Sequence, residues 1–405
     1  MRRLVAVLVA LLLGVAVVGV DPAAAQAVSV RVKPELFGMH DLGLAAPLAY
    51  GAVRFWDDGT TWVDLEPSKN HFRFAHLDVL VVGALARHAK ITLVLGSTPA
   101  WAATNPQESS AGWLGPGSSS PPRDQADWVR YVTTVAKRYE GRIDSYQIWN
   151  EGGLMPFWSA SPSRLARLTA VAYVAIKKAD PAAEVVSTPM LPRQPNWRSW
   201  STAYLTRLRD FGWPVDVFAI HSYQPDKLAN PDGRVVVIKQ TKALLRSARA
   251  PRRPLWDTET NYTSHAYFWP KQKIRGNRAA AWVARAFLDS LRLGISRTYW
   301  YGWNAPVGHL GVTIGPNNRG AMGFATIRTW LVGSTFRGCT TSRGASGAAL
   351  TRCSFLRGTK TSRVVWASAT VHAHLSGRTI CQLLTGCKAR TTTQTRVTTS
   401  PVLVR

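Results

Sequence analysis

Two stretches decide the fold: Asp144-Ser-Tyr-Gln-Ile-Trp-Asn-Glu151 and Pro254-Leu-Trp-Asp-Thr-Glu259. Each is a short apolar run with a Trp, closed by a glutamate and followed by loop-like sequence. Runs of this length bounded by turn residues read as buried strands. A carboxylate ending such a strand stands where a parallel barrel places its chemistry. Working outward, similar runs recur near Phe37–His40, Ala52–Asp57, Ile91–Gly96, Glu184–Thr188, Val215–Tyr223 and Arg297–Asn304. Helical patterns with recognisable ends lie between them. Ser161-Pro162 opens one that carries Leu165, Leu168 and Val171 and stops before Asp180-Pro181. Another starts near Asn277, carries Trp282, Ala286 and Leu288, and stops before Gly294; a third spans Asp127 to Tyr139. This alternation predicts an α/β chain, a (β/α)8 TIM barrel over residues 26–335.

Both ends depart from that pattern. Met1-Arg2-Arg3 precedes the apolar stretch Leu4–Val20 and the small residues Ala23–Ala25, so residues 1–25 read as a secretory signal peptide. A retained anchor is the competing reading, at the short limit for spanning a bilayer. From about Arg337 the texture turns to short β-branched runs (Ala349–Phe355, Arg363–Ser368, Thr395–Val404) with Gly-rich turns. Residues 336–405 are therefore expected to form a small accessory β-sandwich. All four cysteines (Cys339, Cys353, Cys381 and Cys387) lie there. Three pairings are open; short loops favour Cys339–Cys353 with Cys381–Cys387, and the absence of CxxC argues against zinc. The expected location is secreted or cell-envelope associated.

Composition narrows the partners. The 405 residues include 17 Trp, more than packing normally demands, and sugar rings stack their C–H faces on aromatics. The formal charge is +27, and after Asp289 no Asp or Glu follows, while 15 Arg and Lys do. Such a region attracts polyanions. No helix-turn-helix, RNA-binding or zinc-finger pattern accompanies it, so nucleic acid is not expected. An anionic envelope polymer or acidic polysaccharide remains, against a merely solvated basic surface. Three loops stand out by length: Ala102 to Asp124 with Trp113, Pro189 to Trp200, and Tyr262 to Asn277.

Paired carboxylates suit glycosidic-bond cleavage. Retention needs one carboxyl to protonate the leaving oxygen and another, ~5 Å away, to attack the anomeric carbon. Glu259 is the expected nucleophile and Glu151 the acid/base, with Asn150 donating to the neighbouring sugar hydroxyl. There is no GxSxG, Walker loop, HExxH or dinucleotide fingerprint. His372-Ala-His374 has no nearby Cys or acid to complete a metal site and reads as a surface pair.

The chain resembles clan A of the glycoside hydrolases, most closely bacterial members of family 39, over residues 34 to 335. The resemblance rests on Arg54-Phe-Trp, Trp62 with Leu65-Glu-Pro67, Leu95-Gly-Ser-Thr-Pro-Ala-Trp101, and Pro121-Pro122 with Asp127-Trp128. It continues in Ile148-Trp-Asn-Glu151, Ile220-His-Ser-Tyr223 and Trp256-Asp-Thr-Glu259. It implies a barrel with an accessory β-domain, retaining chemistry and no cofactor. By position, Glu151 corresponds to the acid/base, Asn150 to its companion, Glu259 to the nucleophile, and Arg54 to the cation that steadies it. His221 and Tyr223 match the clan's His-x-Tyr. Trp300 and Trp303 are candidate sugar platforms, and Trp101, His40 and Asp57 candidate lining. One departure is Gly152-Gly153 after Glu151, where the clan often has Pro. The expectation is a monomeric, exported, retaining hydrolase of a β-linked glycoside or polysaccharide. A catalytically silent glycan-binding protein is the alternative, disfavoured by the intact Glu151, Glu259 and Arg54.

Overall fold

The computed structural model describes residues 29–405 except 109–111, 226–227, 263–273, 305–309, 344–346, 376, 378 and 390–393. Eight strands close into a parallel barrel: β1 (Phe37–His40), β2 (Ala52–Phe55), β3 (Lys90–Leu95), β4 (Ser145–Ile148), β5 (Glu184–Met190), β6 (Val217–His221), β7 (Leu255–Thr260) and β8 (Ile295–Tyr301). Each pairs with its successor, and β8 returns to β1 with Gly38 opposite Tyr299. The strands are buried on both faces, which is why they read as continuous apolar runs rather than alternating ones.

Side chains fill the barrel's interior. Trp256 packs with Val186, Val217 and Ala219, and the Arg297 guanidinium lies 3.8 Å over its ring. Higher up, Thr92 Oγ1 meets Ser145 Oγ at 2.7 Å and Tyr299 OH at 2.6 Å, so these inward hydroxyls satisfy one another. The open end is left to the strands' C-termini.

Helices wrap the outside and begin where their caps predict. Ser161 accepts a hydrogen bond from the Arg164 amide ahead of helix Pro162–Ala179, and Asp124 from the Ala126 amide ahead of Gln125–Arg138. Five strands stop short of the sequence reading, β2, β3 and β6 by one or two residues and β4 and β8 by three. β4 ends at Ile148 because Trp149 (φ 67°) and Glu151 (φ 40°) turn into the left-handed region. β8 ends at Tyr301, and Trp303 instead forms an isolated bridge to Ile314.

Antiparallel strands form the C-terminal β-sheet domain. Thr335–Arg343, Ala349–Arg357, Lys360–Ala367 and Val402–Val404 are neighbours in a seven-stranded sheet, while Val371–His374 pairs with Gln394–Val397 in a second layer. The expected run Thr395–Val404 is broken at Ser400-Pro401, where a proline cannot donate to a ladder. The sheet also recruits Val30–Arg31 from before the barrel, opposite Thr335 and Phe336. One sheet face (Cys353, Phe355, Val364, Trp366, Leu403) joins the barrel's core; the other (Leu350, Val365, Val402, Val404) packs on Ala373, Leu375 and Val397 of the second layer. Disulfides join Cys339 to Cys353 and Cys381 to Cys387, each pair directly opposed across a ladder. Among the described residues no helix is long and apolar enough to cross a membrane, and the leader-like segment 1–25 lies outside them.

Candidate active site

Glu151 follows β4 and Glu259 lies near the end of β7. His221, the last residue of β6, is register partner to Glu259. One ligand atom from each of Glu151, His221 and Glu259 can be chosen so that all lie within 4.8 Å of one another. The two carboxylates thus meet across the barrel mouth, and both are buried with a little solvent access, their side chains 6% and 11% exposed.

Arg54, on β2, ties this cluster together. Its buried guanidinium donates from Nη1 to Glu259 Oε2 (3.1 Å), from Nη2 to Asn150 Oδ1 (2.7 Å) and from Nε to Gln147 Oε1 (3.0 Å). A buried charge is tolerable only when paired and hydrogen-bonded, and here each of its three nitrogens has an acceptor. Tyr223 OH donates to the other oxygen of Glu259, Oε1, at 2.8 Å. Burial, then the Glu259 charge, push this phenol well above its usual pKa, so it stays a donor. Both oxygens of Glu259 are therefore held by donors, which fixes the plane of the carboxylate.

His221 sits between the two acids, its Nδ1 2.9 Å from Glu151 Oε1 and 3.8 Å from Glu259 Oε2. Complete burial is the main cause that lowers its pKa to about 3, so the imidazole is neutral. A neutral ring can accept at Nδ1 from a protonated Glu151 or, in the other tautomer, donate to an ionised one. Arg193, after β5, brings a second cation 3.7 Å from Glu151 Oε1 and stacks over the Tyr223 ring at 4.8 Å. Two guanidinium groups around the carboxylates oppose a divalent cation, although the Glu151–His221–Glu259 spacing would suit one.

The remaining sequence candidates separate. His40 bonds Asp57 closely, and Tyr301 OH donates to Asp57 Oδ2 at 2.7 Å with its ring edge-on to His40. Burial works against a charged His40, but Asp57 outweighs it and the pKa is raised, while Asp57 is held below the usual carboxylate range. Trp303 stands beside this group, its amide donating to the His40 carbonyl. Trp300 does not: it is fully buried against Tyr262, on the opposite side of β8 from Tyr299 and Tyr301, and offers no surface for a sugar. Trp101 donates to the Glu66 carbonyl and lies under Arg130.

Sequence reading missed Gln147, Arg193 and Tyr301. Gln147 and Tyr301 occupy inward strand positions that an apolar run hides; Arg193 comes from a loop, where spacing carries no signal. Trp113 is 61% exposed, with its ring edge-on to Trp56 just past β2, and among the described residues it is the best-exposed aromatic near this rim. Of the long loop 262–277, residues 263–273 lie outside the described part. Gly152 has a local reason: a Cβ there would meet Leu165 Cδ2 at 2.3 Å, and its amide donates to Thr188 Oγ1, which a proline could not do.

The fold is a (β/α)8 barrel with an antiparallel β-sheet domain following it. No family model matches the chain, and no curated protein does. Among solved structures it is similar to a family 39 glycoside hydrolase from Bacteroides cellulosilyticus WH2, with a TM-score of 0.65 at 18% identity, covering 88% of this chain and 76% of that one. It is also similar to a GH39 β-xylosidase from Caulobacter crescentus (TM-score 0.61, 14% identity, 93% of this chain and 97% of that one). The GH39 enzyme from Xanthomonas axonopodis pv. citri gives 0.62 at 14% identity, covering 93% and 95%. At these identities the likeness establishes the shared architecture.

Proposed function

We propose that the protein is a retaining glycoside hydrolase. The observation that carries this reading is the approach of the two carboxylates: oxygens within 4.8 Å of one another leave no room for the intervening water an inverting enzyme needs. In the first step Glu259 attacks the anomeric carbon while Glu151 donates its proton to the departing glycosidic oxygen. The C–O bond to the leaving group breaks as the glycosyl–Glu259 ester forms. In the second step Glu151, now ionised, takes a proton from water, which attacks the same carbon and returns Glu259 as carboxylate. Arg54 and Tyr223 hold the Glu259 carboxylate oriented for the first attack. Asn150, anchored through its Oδ1 by Arg54, has its amide N–H groups left for the sugar hydroxyl beside the reacting carbon.

The substrate is a β-linked glycoside or polysaccharide, and the place of action is outside the cytoplasmic membrane. Support for export comes from the leader-like residues 1–25 and from two disulfides in a small basic domain. The test is product stereochemistry on an aryl-glycoside panel, read by NMR before mutarotation. Retention is expected with the wild type, and Glu259→Gln should lose turnover while keeping its melting temperature. Inverted product, or unchanged hydrolysis by Glu259→Gln, would overturn the assignment.

A further inference from the structure

We propose that Arg193 makes the site selective for an acidic sugar on the leaving-group side of the scissile bond, binding that sugar's carboxylate; this rests on the hydrolytic reading above. Arg193 stands on the connection from β5 to the helix Trp197–Asp210. Backbone hydrogen bonds from the Gln194 amide to Leu191 (2.9 Å) and from the Trp197 amide to Gln194 (3.3 Å) shape that connection, and Pro192 and Pro195 stiffen it. The Arg193 guanidinium lies 4.8 Å over the Tyr223 ring, so the cation is held over a side chain that itself bonds Glu259. Its Nη2 is 3.7 Å from Glu151 Oε1, close enough for charge attraction and too long for a hydrogen bond. Its Nε is buried and has no hydrogen-bond partner. Nε and Nη2 form one edge of the guanidinium, and such an edge binds a carboxylate through two parallel N–H···O bonds. That edge lies at the barrel mouth, beside the acid.

The surroundings say which sugar it reaches. His40, Asp57, Tyr301 and Trp303 gather at the ends of β1, β2 and β8. β5 stands across the eight-stranded barrel from β1, so Arg193 is on the other side of the carboxylate pair. It neighbours Glu151, whose proton goes to the oxygen of the departing unit. The sugar carrying that oxygen is therefore the one within reach. The connection bearing Arg193 also packs on the turn after Glu151, since a Cβ at Gly153 would sit 3.3 Å from Leu191 Cδ1. Among the described residues Arg193 has one ion-pair partner, Glu151. Glu151 must be neutral, carrying its proton, as the glycosidic bond breaks. A substrate carboxylate supplies the anion that Arg193 then lacks, whereas a neutral leaving sugar supplies none. The planar guanidinium fork suits the planar carboxylate of an acidic sugar, which a point cation would match less well.

The test uses matched aryl glycosides built on the sugar that the full-length enzyme turns over fastest. One carries a 4-carboxyphenyl aglycone and the other the isosteric, neutral 4-carbamoylphenyl, so the pair differs chiefly in charge on the leaving-group side. Wild type should prefer the carboxylate by ~10–100-fold in kcat/KM, mostly through KM, as one charge-assisted contact allows. High salt should shrink the preference. Arg193→Gln should abolish it, and Arg193→Lys, which keeps the charge without the fork, should retain part of it; melting temperatures check that both variants are folded. Parallel losses on the two substrates in Arg193→Gln would point to a role in fixing Tyr223 and overturn the proposal. Equal kcat/KM for the two in wild type would overturn the selectivity and leave hydrolysis standing. No turnover of any glycoside would overturn the hydrolytic reading and the selectivity with it.

Discussion

Replacing Arg54 tests how the cluster is held. Its guanidinium makes three hydrogen bonds to buried acceptors, one of them the Glu259 carboxylate. Hydrogen bonds involving a charged group contribute ~1.5–3 kcal/mol each. Arg54→Lys keeps the charge but, as a single ammonium on a shorter reach, satisfies about one of the three acceptors; losing two amounts to ~3–6 kcal/mol. Arg54→Met also removes the ion pair and leaves Glu259 as an uncompensated buried charge, a further loss of ~3–5 kcal/mol by precedent. Against a total stability of ~5–15 kcal/mol, the methionine variant should be scarcely folded. The lysine variant should fold with a clearly lowered melting temperature, at ~2 °C or so per kcal/mol for a chain this long. Its kcat should fall ~100-fold or more, because Glu259 and Asn150 are no longer fixed relative to each other. Calorimetry with steady-state kinetics on an activated glycoside reads both quantities. An Arg54→Met protein that melts like wild type and turns over normally would refute the reasoning.

Glu151→Gln should reduce cleavage of natural glycosides ~10²–10⁴-fold while largely sparing aryl glycosides whose leaving groups need no proton; equal losses on both would remove the acid assignment. For His221, the folded pKa of about 3 lies below the unfolded 6.5, so only the unfolded chain gains this proton between those values. Stability from this group is therefore complete above pH 6.5 and lost progressively as pH falls toward 3. His221→Gln should flatten that part of the stability curve, and melts at pH 7 and pH 4 check it: the wild type should lose more than the variant, and parallel losses would contradict a buried neutral imidazole.

Eight strands and the glutamate pair were legible because buried parallel strands leave long apolar runs, and a charged residue ending one is conspicuous. Faces were not legible. Thr298-Tyr-Trp-Tyr301 is buried on both sides, so nothing in its letters says that Tyr299 and Tyr301 point inward and Trp300 outward. Asp257 reads as part of the catalytic motif, yet it is fully buried behind the site in an ion pair with Arg234 of helix Pro231–Ser247. Val30–Arg31 is too short for any period, and its place in the C-terminal sheet follows from a partner some three hundred residues away. Arg193 has the same origin: only folding brings its loop over Tyr223 and beside Glu151.

The most direct test is to trap the glycosyl-enzyme. Incubation with a 2-deoxy-2-fluoro glycoside bearing a good leaving group, followed by peptide mass analysis, should find one sugar esterified to Glu259 and none when Glu259 is Gln. A label on another residue, or turnover of matched substrates with no trappable adduct, would contradict the account.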